Sequence, residues 1–228
     1  MTFSGFQPGL LTFLTELAAN NDRAWFTANK DRYESAVREP ALAFVVAMDE
    51  RLTQFAPQFE GIAKKVGGSL MRVHRDVRFG ADKSPYKTNV GIQFRHRLGK
   101  DVHAPGYYLH IEPGEHFLGV GLWRPEPAAL ASIRTAIVER SKAWRAARDA
   151  AAFRKTYALS GESLTRAPRG YDPAHPLIED IKRKDFIAVA NFDDAELLRR
   201  DFVARTAARF AAATPLMQFL CRAVGVPY

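Results

Sequence analysis

The stretch Tyr107-Tyr108-Leu109-His110-Ile111-Glu112-Pro113-Gly114-Glu115-His116-Phe117-Leu118-Gly119-Val120-Gly121-Leu122-Trp123 decides the fold. Pro113-Gly114 is a two-residue turn between two runs that alternate apolar and polar residues, the pattern of an antiparallel hairpin. Pairing across that turn fixes the register. Tyr107, Leu109 and Ile111 share a face with His116, Leu118 and Val120, while Tyr108, His110, Phe117, Gly119, Gly121 and Trp123 share the other. The first face is aliphatic core. The second is aromatic, polar and thinned by glycines, and admits two readings. It is either an open platform that stacks a flat ligand, with Gln93 and Arg95 adding polar contacts, or a second packed face. The packed face is the expectation, with Trp25 and Phe26 as its cover.

Upstream, Val90, Ile92 and Phe94 alternate with Gly91, Gln93 and Arg95, and period-two character extends back to Ser69. Before this, Leu10, Phe13, Leu14 and Leu17 recur at helical spacing after Pro8. Asp22 then caps a second helix carrying Trp25, Phe26, Tyr33 and Val37, and Pro40 kinks it or starts a third lined by Leu42, Val45, Val46, Leu52 and Phe55. Downstream come helices around Leu130 to Ile137 and around Trp144, a Gly- and Pro-rich loop over Gly161 to Pro176, and a short helix over Leu177 to Lys184. A last strand spans Phe186 to Ala190, and Asp193 or Asp194 caps the C-terminal helices. Helices, then an antiparallel sheet, then helices give an α+β fold: a central antiparallel sheet over about 69–123 plus 186–190, flanked by N- and C-terminal helices. The 228 residues, with 47% hydrophobic and 25% charged, fit one domain over 1–228. The start lacks signal-peptide character and no apolar run is long enough to span a bilayer, so the expected location is cytoplasmic, with no membrane partner.

Charge supplies the functional lead. The net charge of +8 is concentrated between Lys64 and Lys100, where ten Lys or Arg face only Asp76 and Asp82, while the rest of the chain holds 23 of each sign. Within sixteen residues stand Arg72, Arg75, Arg78, Lys83 and Lys87 with Ser84 and Tyr86. Guanidinium forks suit carboxylate and phosphate oxygens, and loop N–H groups near Gly80 and Ser84 could add donors. This predicts a site for a phosphorylated or other anionic small molecule, positioned by Tyr86 or Tyr108, with His74 and Asp76 as candidate acid and base. Strand alternation puts Arg72 and His74 on one side and Arg75 on the other. The rival is an internal ion-pair network in a protein-interaction scaffold, in which Asp76 and Asp82 hold the bases. Nucleic acid also fits the charge, though no DNA- or RNA-binding motif accompanies it. Residue types alone leave open whether catalysis accompanies binding, and the oligomeric state is not encoded in any pattern.

His74 with Asp76 and His110 with Glu112 each place an imidazole and a carboxylate on one strand face, an arrangement for acid–base work or a metal. No HExxH motif or cysteine cage is present, so no metal site and no cofactor is assigned, while Mg²⁺ carried on a substrate phosphate stays open. Asp172, His175 and Asp185 read as loop-shaping residues or as part of a lid. Cys221, the single cysteine, sits among apolar residues and is read as inert.

Four motifs, in order, carry a resemblance: Asn20-Asn21-Asp22-Arg23-Ala24-Trp25-Phe26; Ser69-Leu70-Met71-Arg72-Val73-His74-Arg75-Asp76-Val77-Arg78-Phe79 with Asp82-Lys83-Ser84-Pro85-Tyr86-Lys87-Thr88; Gly106-Tyr107-Tyr108-Leu109-His110-Ile111-Glu112-Pro113-Gly114; and Gly170-Tyr171-Asp172-Pro173-Ala174-His175-Pro176. Together they resemble the bacterial family termed domain of unknown function 2461. The resemblance implies one full-length domain and carries no assigned activity or catalytic residue.

Overall fold

The computed structural model describes residues 3–78, 82–99 and 105–228. The element order is α1 (Pro8–Ala19), α2 (Arg23–Ala28), α3 (Lys30–Tyr33), a π-helical turn (Glu34–Arg38), α4 (Glu39–Leu52), β1 (Phe59–Glu60), β2 (Val90–His96), β3 (Gly106–Ile111), β4 (His116–Leu122), α5 (Pro127–Glu139), α6 (Ser141–Arg148), α7 (Ala151–Thr156), β5 (Ala158–Ser160), α8 (Ile178–Ile181), β6 (Phe186–Phe192), α9 (Asp194–Leu197), α10 (Phe202–Ala212) and α11 (Thr214–Ala223). The six strands form one antiparallel sheet in the order β1-β2-β3-β4-β6-β5. The chain is thus α+β.

The hairpin forms in the expected register, with Leu109 opposite Leu118 and Tyr108 opposite Gly119. Glu115 N donates to Glu112 O at 2.8 Å, and Gly114 has a φ of 83°. Pro113 pre-sets the turn and Gly114 supplies the left-handed residue that a side chain would oppose.

Four readings are corrected. The second helix breaks at Asn29, whose side-chain amide donates to Trp25 O at 2.9 Å, and the helical path resumes through the π turn into α4. The wider turn precedes Pro40, which has no N–H to donate and whose ring would clash with a regular helix behind it. The buried stripe of α4 is Ala41, Phe44, Val45, Met48 and Leu52, with Val46 outward, because the helix turns its Phe44 side to the sheet. The segment from Ser69 is a bent ribbon held by single bridges, Leu70 to Ile92 and His74 to Tyr86, rather than a sheet strand. β1 and β5, too short for periodicity to reveal, form the sheet edges instead.

The inner face of the sheet carries the core. Phe94 meets Phe44 of α4 and Phe210 of α10, Tyr107 meets Phe210, and Phe186 meets Trp144 of α6, all at ring separations of 4.8–6.3 Å. Among the described residues no helix is long and apolar enough to cross a membrane.

Candidate functional site

The outer face of the sheet is open, against the expectation that helices would cover it. Trp25 and Phe26 are spent elsewhere: Trp25 packs on Phe13, and Phe26 stacks on Tyr86 at 4.0 Å. What remains is a cavity of about 560 Å³ over β3, β4 and β6, within the range of small-molecule sites. Its walls include Gln93, Tyr108, His110, Phe117, Gly119 and Trp123, with Ile187, Val189 and Asn191 from β6 and Met71 from the ribbon. Gly119 keeps the floor low, and Trp123, 47% exposed, stands at the margin with the Arg124 guanidinium 4.8 Å from its ring centre.

A hydrogen-bonded chain runs along β3 into this cavity. Residues 108, 110 and 112 alternate onto one side of the strand. Tyr108 Oη lies 3.1 Å from His110 Nδ1, and His110 Nε2 lies 3.1 Å from Glu112 Oε2. Thr88 Oγ1 donates to Glu112 Oε1 at 2.7 Å, and the Asn89 amide approaches His110 Nδ1 at 3.4 Å. The imidazole lies flat on Phe117, ring centres 4.6 Å apart and planes within 9°. Burial, with the Glu112 charge second, pushes the Tyr108 phenol up to about 12. Gly91 makes room for this arrangement, since a Cβ there would stand 2.7 Å from Tyr108 Oη and 3.0 Å from Met71 Sδ.

The basic residues Arg72, Arg75, Arg78, Lys83 and Lys87 lie along the two described limbs of the ribbon. Asp76 is held on both oxygens by Arg78, at 2.9 and 2.7 Å, which keeps its carboxyl well below the usual carboxylate range. Asp82 pairs with Arg75 and accepts from Ser84, and is lowered chiefly by Ser84. These pairs are on the surface, where they contribute little to stability. Lys83 donates to Val77 O at 2.9 Å. Both acids of the segment are therefore committed, and neither Arg72 nor Lys87 has a carboxylate within ion-pair distance among the described residues.

Lys87 is part-buried, and its ammonium is pulled below its ordinary value first by burial and then by the charges of Arg72 and Arg75. The two limbs of the ribbon pair through Lys87 N to Val73 O at 2.7 Å and Arg75 N to Pro85 O at 2.9 Å, and the charges of both Arg72 and Arg75, which alternation places on opposite sides, reach Lys87. Arg72 follows Met71, which lines the cavity, and Lys87 is two residues from Asn89, which reaches His110.

Other predicted site residues fall outside this group. Tyr86 is core, 5% exposed and stacked on Phe26. His74 is exposed beside Tyr86, and Asp76 turns to Arg78 instead of to it. Asp172 and His175 hold their own loop through Ala174 N and Leu177 N, while buried Asp185 accepts from Arg124 N and Glu162 N at 2.6 and 2.9 Å. Burial pushes the Cys221 thiol up to about 12. Among the described residues no three His, Cys, Asp or Glu side chains cluster as a metal site. Gly80 and Lys100 lie outside the described residues. Asn89, Gly91 and the outward residues of β6 were missed by sequence reasoning. The alternation Ile187, Val189, Asn191 was the one available signal.

The chain matches the family described as Conserved hypothetical protein (DUF2461) over residues 9–219. It belongs to that family. The match spans the sheet, the cavity and the basic ribbon of this DUF2461 chain together. No curated protein matches it, and no solved structure does.

Proposed function

We propose that this DUF2461 chain binds a small anionic molecule, a phosphate or carboxylate carrying a ring or apolar body, at the junction of the basic ribbon and the open sheet face. The observation that carries this reading is Lys87, a part-buried ammonium that feels the charges of Arg72 and Arg75 and has no carboxylate within ion-pair distance among the described residues, Asp76 being held by Arg78 and Asp82 by Arg75 and Ser84. Like charges held together are costly, and an anion between them removes that cost. Arg72 and Lys87 take the anion, with Arg75 shared between it and Asp82. The body of the ligand lies along the cavity against Phe117, with Tyr108 at its side. Lys83 and Arg78, farther along the ribbon, attract the ligand rather than hold it.

The test is calorimetric titration with inorganic phosphate, pyrophosphate and benzoate, repeated on Arg72→Ala and Lys87→Gln. A charge-assisted contact is worth about 1.5–3 kcal/mol, so each substitution is expected to weaken binding on the order of tenfold or more. Binding that is absent in the unaltered protein, or unchanged in both variants, overturns the reading. Tight binding of oligonucleotides with a steep salt dependence would instead favour nucleic acid.

A further inference from the structure

We propose that Tyr108, His110 and Glu112 form a proton relay that makes the Tyr108 hydroxyl the acid–base group of the cavity. The ligand's anionic end rests on the reading above; the relay itself stands on separate geometry.

The donor pattern assigns the direction. Glu112 accepts from the Thr88 hydroxyl on Oε1, and its other oxygen faces His110 Nε2. The carboxylate therefore holds the proton on Nε2 and leaves Nδ1 as a lone pair. Two donors converge on that lone pair, the Tyr108 hydroxyl at 3.1 Å and the Asn89 amide at 3.4 Å. With its own proton directed at Nδ1, Tyr108 Oη keeps lone pairs for a ligand. A carboxylate, an imidazole and a hydroxyl in this order are the parts by which a base removes a hydroxyl proton and a third group orients the base.

The surroundings hold the relay in place. Phe117 stacks on the imidazole and fixes its plane, and absence of a side chain at Gly91 admits the phenol oxygen. The phenol is pushed up to about 12, chiefly by burial. Free phenolate is therefore scarce near neutrality, and the hydroxyl reacts only where a neighbour accepts its proton.

The step balances as a proton transfer. The O–H bond of a ligand hydroxyl breaks, and its electron pair stays on the ligand oxygen. The proton passes to Tyr108 Oη while the Tyr108 proton passes to His110 Nδ1, and the imidazolium is held by Glu112. The substrate class is a small phosphate or carboxylate with a hydroxyl within reach of Tyr108. Tyr108 touches the ligand; His110 accepts its proton, and Glu112 is a positioning residue.

The test uses two probes on the full chain, 4-(fluorosulfonyl)benzoate and uncharged benzenesulfonyl fluoride, with labelled tyrosines mapped by mass spectrometry. Labelling forms an O–S bond at Tyr108, expels fluoride with the S–F electron pair and delivers the phenolic proton to Nδ1. Near neutral pH Tyr108 is expected to label faster than every other tyrosine. His110→Gln should slow it on the order of 10²-fold, the size of a general-base contribution, with Glu112→Gln smaller in the same direction. Gly91→Ala, which displaces the hydroxyl, should slow it as well. In the unaltered protein, nitrogen NMR of His110 should show the Nε2–H tautomer. Tyr108 labelling no faster than the other tyrosines, labelling indifferent to His110→Gln, or an Nδ1–H tautomer each overturns the relay. The anion reading fails separately, if the carboxylate probe gains nothing over the uncharged one and Arg72→Ala changes neither.

Discussion

Lys87 couples charge to stability in a direction that can be worked out. Its pKa in the folded chain is below the ordinary 10.5, so between those two values the unfolded chain holds more protons than the folded one. Stability then rises with pH across that window, and below the folded pKa the charged lysine is a standing cost. An anion seated between Arg72 and Lys87 raises the lysine pKa again. Phosphate binding on the alkaline side is therefore expected to take up protons, read by calorimetry as an apparent enthalpy that changes with the ionisation enthalpy of the buffer. Lys87→Gln should abolish that uptake and leave the unliganded protein at least as stable. An enthalpy independent of buffer would remove Lys87 from the site. Residue types place Arg72, Arg75 and Lys87 in one segment, but whether a base meets an acid or another base depends on how the two limbs of the ribbon pair, which no spacing rule encodes.

At the scale of elements, two glycines of β4 make opposite demands. Gly121 has a φ of 113°, and a Cβ there would stand 2.0 Å from the Phe186 carbonyl oxygen of β6. Gly121→Ala is expected to destabilise by about 1–3 kcal/mol or more from backbone strain and the forced separation of two paired strands. A Cβ at Gly119 makes only ordinary contact, 3.6 Å from Tyr108 Cβ. Gly119→Leu should therefore leave the thermal midpoint within a few degrees while filling the cavity and blocking benzoate. Equal loss of stability at both positions would contradict this contrast. In the sequence both glycines thin one hairpin face. The register that pairs Tyr108 with Gly119 was legible because Pro113-Gly114 leaves one way to fold back. What separates a glycine needed by the backbone from one needed by the cavity is β6, some seventy residues downstream.

Across the whole molecule, the C-terminal segment closes the inner layer. His96 Nε2 lies 2.7 Å from Pro227 O, Tyr107 Oη lies 2.9 Å from Tyr228 Oη, and Tyr228 Oη donates to Thr214. Tyr107 is fully buried, so Tyr228→Phe leaves its hydroxyl without that partner. The expected loss is about 1–3 kcal/mol, measured by urea denaturation, with the phosphate affinity unchanged because the cavity lies across the sheet. A change in phosphate affinity alone would mean that the two faces are coupled.

The α+β class, the hairpin and its register, the location of the excess charge, and a face bearing Tyr108, His110 and Phe117 are all written in the amino-acid order. These follow from local periodicity, turn chemistry and composition, which act over a few residues. That this face is open, that Tyr86 is core, and that Asn89, Gly91 and β6 complete the site emerges only once the chain is folded. Packing makes the difference. Trp25 and Phe26 are apolar enough to cover an outer face, but they pack on Phe13 and Tyr86, a choice made by contacts between segments as far apart as residues 26 and 86, beyond the reach of local patterning.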